Sequence, residues 1–246
     1  LERMIDYNIQ NRIHLFRISS DIIPFASSPV NTVPWPEAFA EQLDAIGQKI
    51  IHSGMRVSMH PGQYTVLNSP SEQTATNAVL ELAYHAQFLD SLGVDSTHKI
   101  ILHVGGVYGD KPAAMARFAS RYAALGDAVK ARLVIENDDS LYNVEDVLDI
   151  GRANGIPVVF DNLHNAVNPS PLGESDRYWV SECAKTWSAR DGAQKIHYSQ
   201  PDPQKKMGAH SQSIRIEGFL SYLDSISPYH PDIMLEVKDK NISALK

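Results

Sequence analysis

The chain has 246 residues and carries 22 Lys and Arg against 29 Asp and Glu, which gives a formal net charge of −7. With 43% hydrophobic and 21% charged residues, the composition excludes a disordered or fibrous chain. The only cysteine, Cys183, excludes an intrachain disulfide framework and suits a reducing cytosol, so we expect a cytoplasmic location. No apolar stretch of about eighteen residues and no signal peptide is visible, so we expect no membrane partner. The acidic balance argues against a nucleic-acid partner.

Short apolar runs recur along the whole chain. Each is rich in branched residues and is typical of a strand buried on both faces of a parallel sheet. The seven runs are residues 14–18, 55–59, 99–104, 132–136, 156–160, 194–198 and 232–237.

Helical periodicity fills the gaps between these runs. The predicted helices are residues 1–11, 37–53, 72–92, 112–130, 143–153 and 213–226. Ser71 and Asn143 are typical helix N-caps, and Gly54, Gly93 and Gly155 lie where C-terminal caps are expected. The alternation predicts an α/β fold with parallel strands and helical crossovers.

Two architectures fit this alternation, an open doubly wound sheet and a TIM (β/α)8-type barrel. No G-x-G-x-x-G motif follows the first strand, and polar residues follow nearly every strand, which favours the barrel. A barrel needs eight strands and seven are visible, so we expect the first strand to precede Leu1. We therefore predict a single, N-terminally truncated TIM-barrel domain over residues 1–246.

Histidines and acids concentrate at the C-terminal ends of the predicted strands. If the strands converge on one barrel end, these side chains need a compensating cation, and their mixed N and O donors suit Zn, Mn or Fe. Any one of them alone is more often a core or capping residue, but eight at the same ends favour a metal cluster. They are His60, His103, Glu136, Asp161, His164, His197, His210 and Glu236. The other histidines, His14, His52, His85, His98 and His230, are interpreted as surface or packing residues.

The residues around these side chains form a series of short motifs. These are Arg17-Ile-Ser-Ser-Asp21, His60-Pro-Gly-Gln-Tyr64, His103-Val-Gly-Gly-Val-Tyr-Gly-Asp-Lys111, Glu136-Asn-Asp-Asp139, Asp161-x-x-His164, Lys195-x-His197-x-Ser199 and Leu235-Glu-x-Lys-Asp-Lys240. In this order and spacing, from Arg17 to Lys240, the motifs resemble the UV damage endonuclease family. Endonuclease IV and the xylose isomerase-like barrels are more distantly similar in fold and metal site.

The resemblance implies a TIM barrel that holds up to three divalent metal ions, usually Mn, with Zn, Co or Mg as alternatives. It implies nicking of the DNA backbone immediately 5′ of UV photoproducts, and of abasic sites in many members. The eight side chains above are then the metal ligands, with Glu136 and Glu236 bridging metals. Lys195 matches a lysine that is carboxylated in similar enzymes, and an ordinary phosphate-binding ammonium is the alternative.

The resemblance also implies which residues contact DNA. Gln63 and Tyr64 match residues that wedge into the duplex at a lesion, although a loop that merely covers the barrel end is the alternative. Tyr108 and Lys111 lie in a glycine-rich segment whose amides could approach a phosphate, or which is a plain turn. Lys238 and Lys240 either contact phosphates or are solvated.

The partner implied is damaged double-stranded DNA, and we expect a monomer. Three divalent cations would offset most of the charge of −7, which weakens the electrostatic objection to DNA. Two other functions stay open: a metal-dependent sugar isomerase or epimerase on a related barrel, and a lesion-binding protein that does not cut.

Overall fold

The computed structural model describes residues 1–246, which form two compact units, Leu1–Val134 and Ile135–Lys246. Strand β4, residues Leu133–Glu136, contains the boundary, with two residues in each unit. The single domain predicted from the sequence stays a prediction.

Seven parallel strands follow one another in the sheet in chain order. Their ends agree with the predicted apolar runs to within two residues. The strands are β1 (Leu15–Ile18), β2 (Arg56–Met59), β3 (Lys99–His103), β4 (Leu133–Glu136), β5 (Val158–Asp161), β6 (Lys195–Tyr198) and β7 (Asp232–Leu235). Every residue of β4, β5 and β6 is buried, as expected for strands covered on both faces.

The first unit contains six α-helices and a short 3₁₀ turn, Ser20–Ile22. They are α1 (Glu2–Gln10), α2 (Trp35–Ala38), α3 (Ala40–Ser53), α4 (Glu72–Ser91), α5 (Lys111–Ala123) and α6 (Asp127–Arg132). The helix predicted over 112–130 is wrong in its continuity, because Gly126 is extended and begins α6 as its N-cap. Glycine has low helix propensity, and the apolar periodicity alone did not reveal this interruption.

The second unit contains five α-helices and the 3₁₀ turn Ala189–Asp191. They are α7 (Val144–Asn154), α8 (Asn162–Val167), α9 (Asp176–Ala184), α10 (Ile216–Ser225) and α11 (Asn241–Ala244). The sequence did not predict α8, α9 or α11. Two of them are six residues or fewer, which is too short to show a helical period.

Helix caps appear where the sequence placed them. The Ser71 side chain accepts a hydrogen bond from the Thr74 amide at the start of α4. Asn143 and Asp146 form a reciprocal capping box at the start of α7. Gly54 and Gly155 follow α3 and α7 in the left-handed conformation, with φ of 66° and 67°. No helix of the structure combines the length and the apolar character needed to cross a membrane.

Replacement of Asn143 by alanine should remove the capping box and lower the free energy of unfolding by about 1 kcal/mol. Urea denaturation followed by circular dichroism measures this change. Asp149→Ala, at an exposed position within the same helix, is the matched control and should change stability by less than about 0.5 kcal/mol. Equal effects of the two substitutions would contradict a specific role of the cap.

Candidate metal centre

Four ligand-type side chains meet at the C-terminal ends of the strands in the second unit. Glu136 and Asp161 are the last residues of β4 and β5, His197 lies in β6, and Glu236 directly follows β7. Because these strands are parallel neighbours, their ends lie side by side, and Asp161 is paired with His197 in the register. One ligand atom of each of the four residues lies within 4.8 Å of the others. We call these four residues the acidic group.

Short polar distances connect the members of this group. The His197 Nδ1 atom lies 2.7 Å from Glu136 Oε1 and 3.2 Å from Glu236 Oε1. Glu136, Asp161 and His197 are completely buried. Three carboxylates therefore face one imidazole with little or no access to solvent.

The burial of these charges changes how they bind protons. Burial raises the pKa of Asp161 to about 7, and the carboxylates of Glu136 and Glu236 act in the same direction against the opposing effect of His164. Burial alone would lower the pKa of His164, but Asp161 and Glu136 raise it to about 9. The acidic group thus resists carrying its full negative charge near neutral pH unless a cation is bound.

One buried oxygen shows that a divalent cation fits this group. Asp161 Oδ1 accepts a hydrogen bond from the His164 amide at 2.8 Å, as the N-cap of α8. Asp161 Oδ2 is buried and has no hydrogen-bond partner, which is costly for a carboxylate unless a cation is available. Carboxylate oxygens and an imidazole nitrogen are a donor set that suits Mn or Zn.

Two further histidines named from the sequence border the acidic group. His164 Nδ1 lies 3.6 Å from Glu136 Oε1 and 3.8 Å from Asp161 Oδ1. It also lies 2.9 Å from the Asn137 carbonyl oxygen, to which it can donate a hydrogen bond. His210 Nδ1 lies 3.8 Å from Glu236 Oε2. Lys195 is completely buried in β6, two residues before His197.

Asn137 orients two of these residues, a role that the sequence motifs did not indicate. Its Nδ2 donates to the Asp161 carbonyl at 3.1 Å, and its Oδ1 accepts from the Asp161 amide at 2.9 Å. Its own carbonyl meets the His164 ring. In the sequence, only its place directly after the candidate ligand Glu136 could have indicated that Asn137 belongs to the site.

The first unit contains the two remaining histidines of the predicted ligand set. His60 follows β2 and His103 ends β3. Their rings are nearly perpendicular, with centroids 5.1 Å apart. His60 Nδ1 lies 3.1 Å from the Pro61 carbonyl oxygen, and a hydrogen bond donated there directs the Nε2 lone pair away from the backbone.

The predicted DNA-contacting residues lie in two loops of the first unit. Gln63 and Tyr64 are exposed after β2, and the Tyr64 ring covers Gly62 so closely that an added Cβ would be 2.4 Å from Tyr64 Cε1. Tyr108 is likewise exposed, with a left-handed φ of 53°, and covers Gly106. The ring position of each tyrosine therefore requires a glycine two residues earlier in the chain.

The glycine-rich segment after β3 leads directly into α5. Gly105 has a φ of 113°, and the Gly106 carbonyl accepts a hydrogen bond from Asn68 Nδ2 at 2.8 Å. Lys111 is the first residue of α5, next to the N-cap Asp110. The segment is thus a constrained turn with a lysine at the adjoining helix start.

Replacement of Asp161 by asparagine should abolish most of the rise in melting temperature that Mn²⁺ causes in the wild-type chain. The asparagine keeps the Oδ1 cap but removes the buried charge, so the metal-free variant should be at least as stable as wild type at pH 8, above the Asp161 pKa of about 7. Thermal unfolding with and without MnCl₂ measures both effects. Asp176→Asn, which changes a half-buried carboxylate that accepts a hydrogen bond from Asn165, should keep the metal response. A full metal response in the Asp161 variant would contradict this site.

Comparison with known proteins identifies what this chain is similar to. The family model for UV-endonuclease UvdE matches residues 1–246. The UV DNA damage endonuclease of Clostridium perfringens (strain 13 / Type A) is 49% identical over 250 residues, covering 100% of this chain and 60% of that protein. The chain thus spans somewhat less than two thirds of the length of this relative.

Solved structures agree with the sequence comparison. The crystal structure of SacUVDE superimposes with a TM-score of 0.94 at 40% identity, covering 99% of this chain and 81% of that one. Endonuclease IV from Thermus thermophilus has a TM-score of 0.63 at 16% identity over 96% of this chain and 87% of its own, which shows likeness of fold alone. The predicted α/β TIM-type barrel class is confirmed, with seven strands. The chain belongs to the UV-endonuclease UvdE family.

Proposed function

We propose that this chain is a DNA repair endonuclease that nicks the phosphodiester backbone immediately 5′ of UV photoproducts, and also at abasic sites. The observation that carries the proposal is the acidic group with its unpartnered Asp161 oxygen, in a chain that matches the family model throughout. A phosphodiester hydrolase needs a way to concentrate positive charge against a phosphate, and this group is suited to holding that charge.

The proposed cofactor is a cluster of up to three divalent ions, with Mn as the first choice and Zn, Co or Mg as alternatives. The proposed ligands are His60, His103, Glu136, Asp161, His164, His197, His210 and Glu236. When bound, such ions supply a water-derived nucleophile at neutral pH and stabilise charge on a phosphate. Glu136 and Glu236 would both help to hold these ions, which is supported by their common approach to the His197 ring.

The residues of the chain also have roles of their own in this proposal. Asn137 fixes the backbone of Asp161 and the ring of His164, so the donor atoms are in place before substrate arrives. Lys195 is proposed to act at the scissile phosphate, either as a carboxylated side chain or as an ammonium. Its position in β6, two residues before His197 and therefore on the same face of the strand, supports a place near the proposed ions.

Lesions of different chemistry share a weakened base stack, so recognition by shape and deformability suits them. We propose that Tyr64 stacks in the gap of a kinked duplex while Gln63 offers hydrogen bonds there. The 65% exposure of Tyr64 supports this role. Tyr108 and Lys111 are proposed to contact the DNA backbone nearby. The partner is damaged double-stranded DNA, and we propose a cytoplasmic monomer.

Incubation of UV-irradiated plasmid with the chain and Mn²⁺ tests the proposed activity. We expect nicks in irradiated DNA only, and Glu136→Gln should reduce nicking by at least about 100-fold because a carboxylate charge that would hold the ions is lost. Glu145→Gln is the matched control, since Glu145 lies in α7 outside the acidic group and accepts a hydrogen bond from Ser170. This variant should keep wild-type activity.

Other outcomes of this assay would support the alternatives. Retention of irradiated DNA without nicks would indicate a lesion-binding protein. Epimerisation of sugars without any nicking would indicate an isomerase or epimerase, and full activity of Glu136→Gln would contradict the metal assignment.

Replacement of Gly62 by alanine should displace the Tyr64 ring, because the new Cβ would lie 2.4 Å from a ring carbon. We expect the KM for irradiated DNA to rise about tenfold with kcat less affected, since base–aromatic stacking contributes on the order of 1–3 kcal/mol. Steady-state nicking kinetics measure this split. Gly126→Ala, where an added Cβ meets nothing within 4 Å, is the control. An unchanged KM in the Gly62 variant would argue against a Tyr64 wedge.

A further inference from the structure

The connection between β6 and α10 contains an ordered hairpin, of which only His210 has a proposed role so far. Residues 200–211 close on themselves through the Ser211 amide, which donates to the Gln200 carbonyl at 2.8 Å, and through an antiparallel bridge between Pro201 and His210. The Asp202 amide donates to the Ala209 carbonyl at 2.7 Å. We call this segment the 200–211 hairpin.

Hydrogen bonds fix both the base and the tip of this hairpin. At the base, the Gln200 side chain is bonded to both the amide and the carbonyl of Arg215. At the tip, Asp202 Oδ1 accepts from the Gln204 amide at 3.1 Å, and the Ala209 amide donates to the Lys206 carbonyl at 3.0 Å. An ordered turn presents its side chains to a partner without a large loss of backbone entropy.

The tip of the hairpin is positively charged and ends in an exposed apolar side chain. Lys205 Nζ and Lys238 Nζ share a single carboxylate oxygen, Asp202 Oδ2, at 3.5 Å and 4.0 Å. Lys206 is exposed next to Lys205 in the chain, so the tip has more ammonium groups than carboxylates. Met207 is 75% exposed. A local excess of positive charge in a chain of net charge −7 is suited to an anion.

The position of the hairpin indicates which anion it binds. Its base carries His210, whose Nδ1 lies 3.8 Å from Glu236 Oε2 in the acidic group. Its tip is linked to the same region through Lys238, which lies two residues after Glu236 in the chain and approaches Asp202 together with Lys205. Several ammonium groups spread along a turn match the repeated phosphates of a nucleic-acid backbone. An apolar side chain among them matches sugars and base edges in a minor groove.

We propose that the 200–211 hairpin is a clamp on the DNA backbone. Lys205 and Lys206 of the hairpin contact phosphates together with Lys238, which follows β7, and Met207 packs in the minor groove. This inference rests on the proposed function, because it takes DNA as the substrate. Phosphate contacts are independent of sequence and lesion, so the clamp acts on undamaged duplex as well.

The salt dependence of DNA binding tests the clamp separately from nicking. Fluorescence anisotropy with an undamaged duplex and Mn²⁺ gives the slope of log K against log salt concentration. Each phosphate contact contributes about 0.9 to this slope, so the double variant K205Q/K206Q should reduce its magnitude by about 1.8. Met207→Gln should weaken binding at every salt concentration and leave the slope unchanged.

Lys185→Gln is the matched control for loss of a lysine charge. Lys185 follows α9 on the way to the start of β6, at the other end of the strand from the hairpin, and pairs with Glu182. For the Lys185→Gln variant, the slope of log K against log salt concentration should equal that of the wild-type chain. Thermal unfolding should show that all variants are folded.

The results separate the clamp from the endonuclease. A slope of K205Q/K206Q equal to that of Lys185→Gln would overturn the clamp, whether or not the wild-type chain nicks irradiated DNA. A reduced slope in a chain that never nicks would support the clamp and contradict the proposed endonuclease.

Discussion

Three carboxylates gathered around one imidazole are the constraint on which the second unit of this molecule depends. Glu136, Asp161 and Glu236 approach His197 within a region that is almost closed to solvent. Water cannot stabilise these charges and they repel one another, so only protons or a cation can balance them. The pKa values of Asp161 and His164 are both raised, so protons bound to these residues balance part of the charge when no cation is bound.

The strands make such an arrangement possible because their apolar residues stabilise the fold, while the polar residues that could bind a cation are confined to the strand ends. In β5, Val158, Val159 and Phe160 are buried apolar residues, and only the final residue of the strand is charged. Burial of each large apolar side chain contributes about 1.5–3 kcal/mol, and this stabilisation offsets the cost of the acidic ends. Hydrogen bonds from Asn137 then fix the direction of the polar side chains without adding charge.

The sequence was most informative where a physical pattern extends over many residues. Strands of a parallel sheet are short and mainly apolar, so all seven were found within two residues of their ends, although β1 and β7 are only partly buried. Helix α8 was missed because its six residues are held by the Asp161 cap and by packing rather than by an amphipathic period. The strand-end position of Glu136 and Asp161 likewise predicted their approach to one another.

Other features of the site depend on contacts between residues that the sequence separates. Nothing in the local sequence shows that the Asn137 side chain pairs with the backbone of Asp161, 24 residues later. The covering of Gly62 by Tyr64 also becomes visible only in three dimensions, because it depends on a side-chain torsion. The approach of His210 to Glu236 is another such case, since it depends on how the 200–211 hairpin folds.

The two carboxylate oxygens of Asp161 have different functions, and this limits which residues can replace it. One oxygen holds the first turn of α8, and the other is left for a cation, while the backbone of the same residue ends β5. Asparagine preserves the helix cap and loses the charge, whereas glutamate preserves the charge and moves it one methylene away from the cap. Neither asparagine nor glutamate can therefore replace both functions of Asp161, so the stability of α8 and the binding of a cation constrain the same residue.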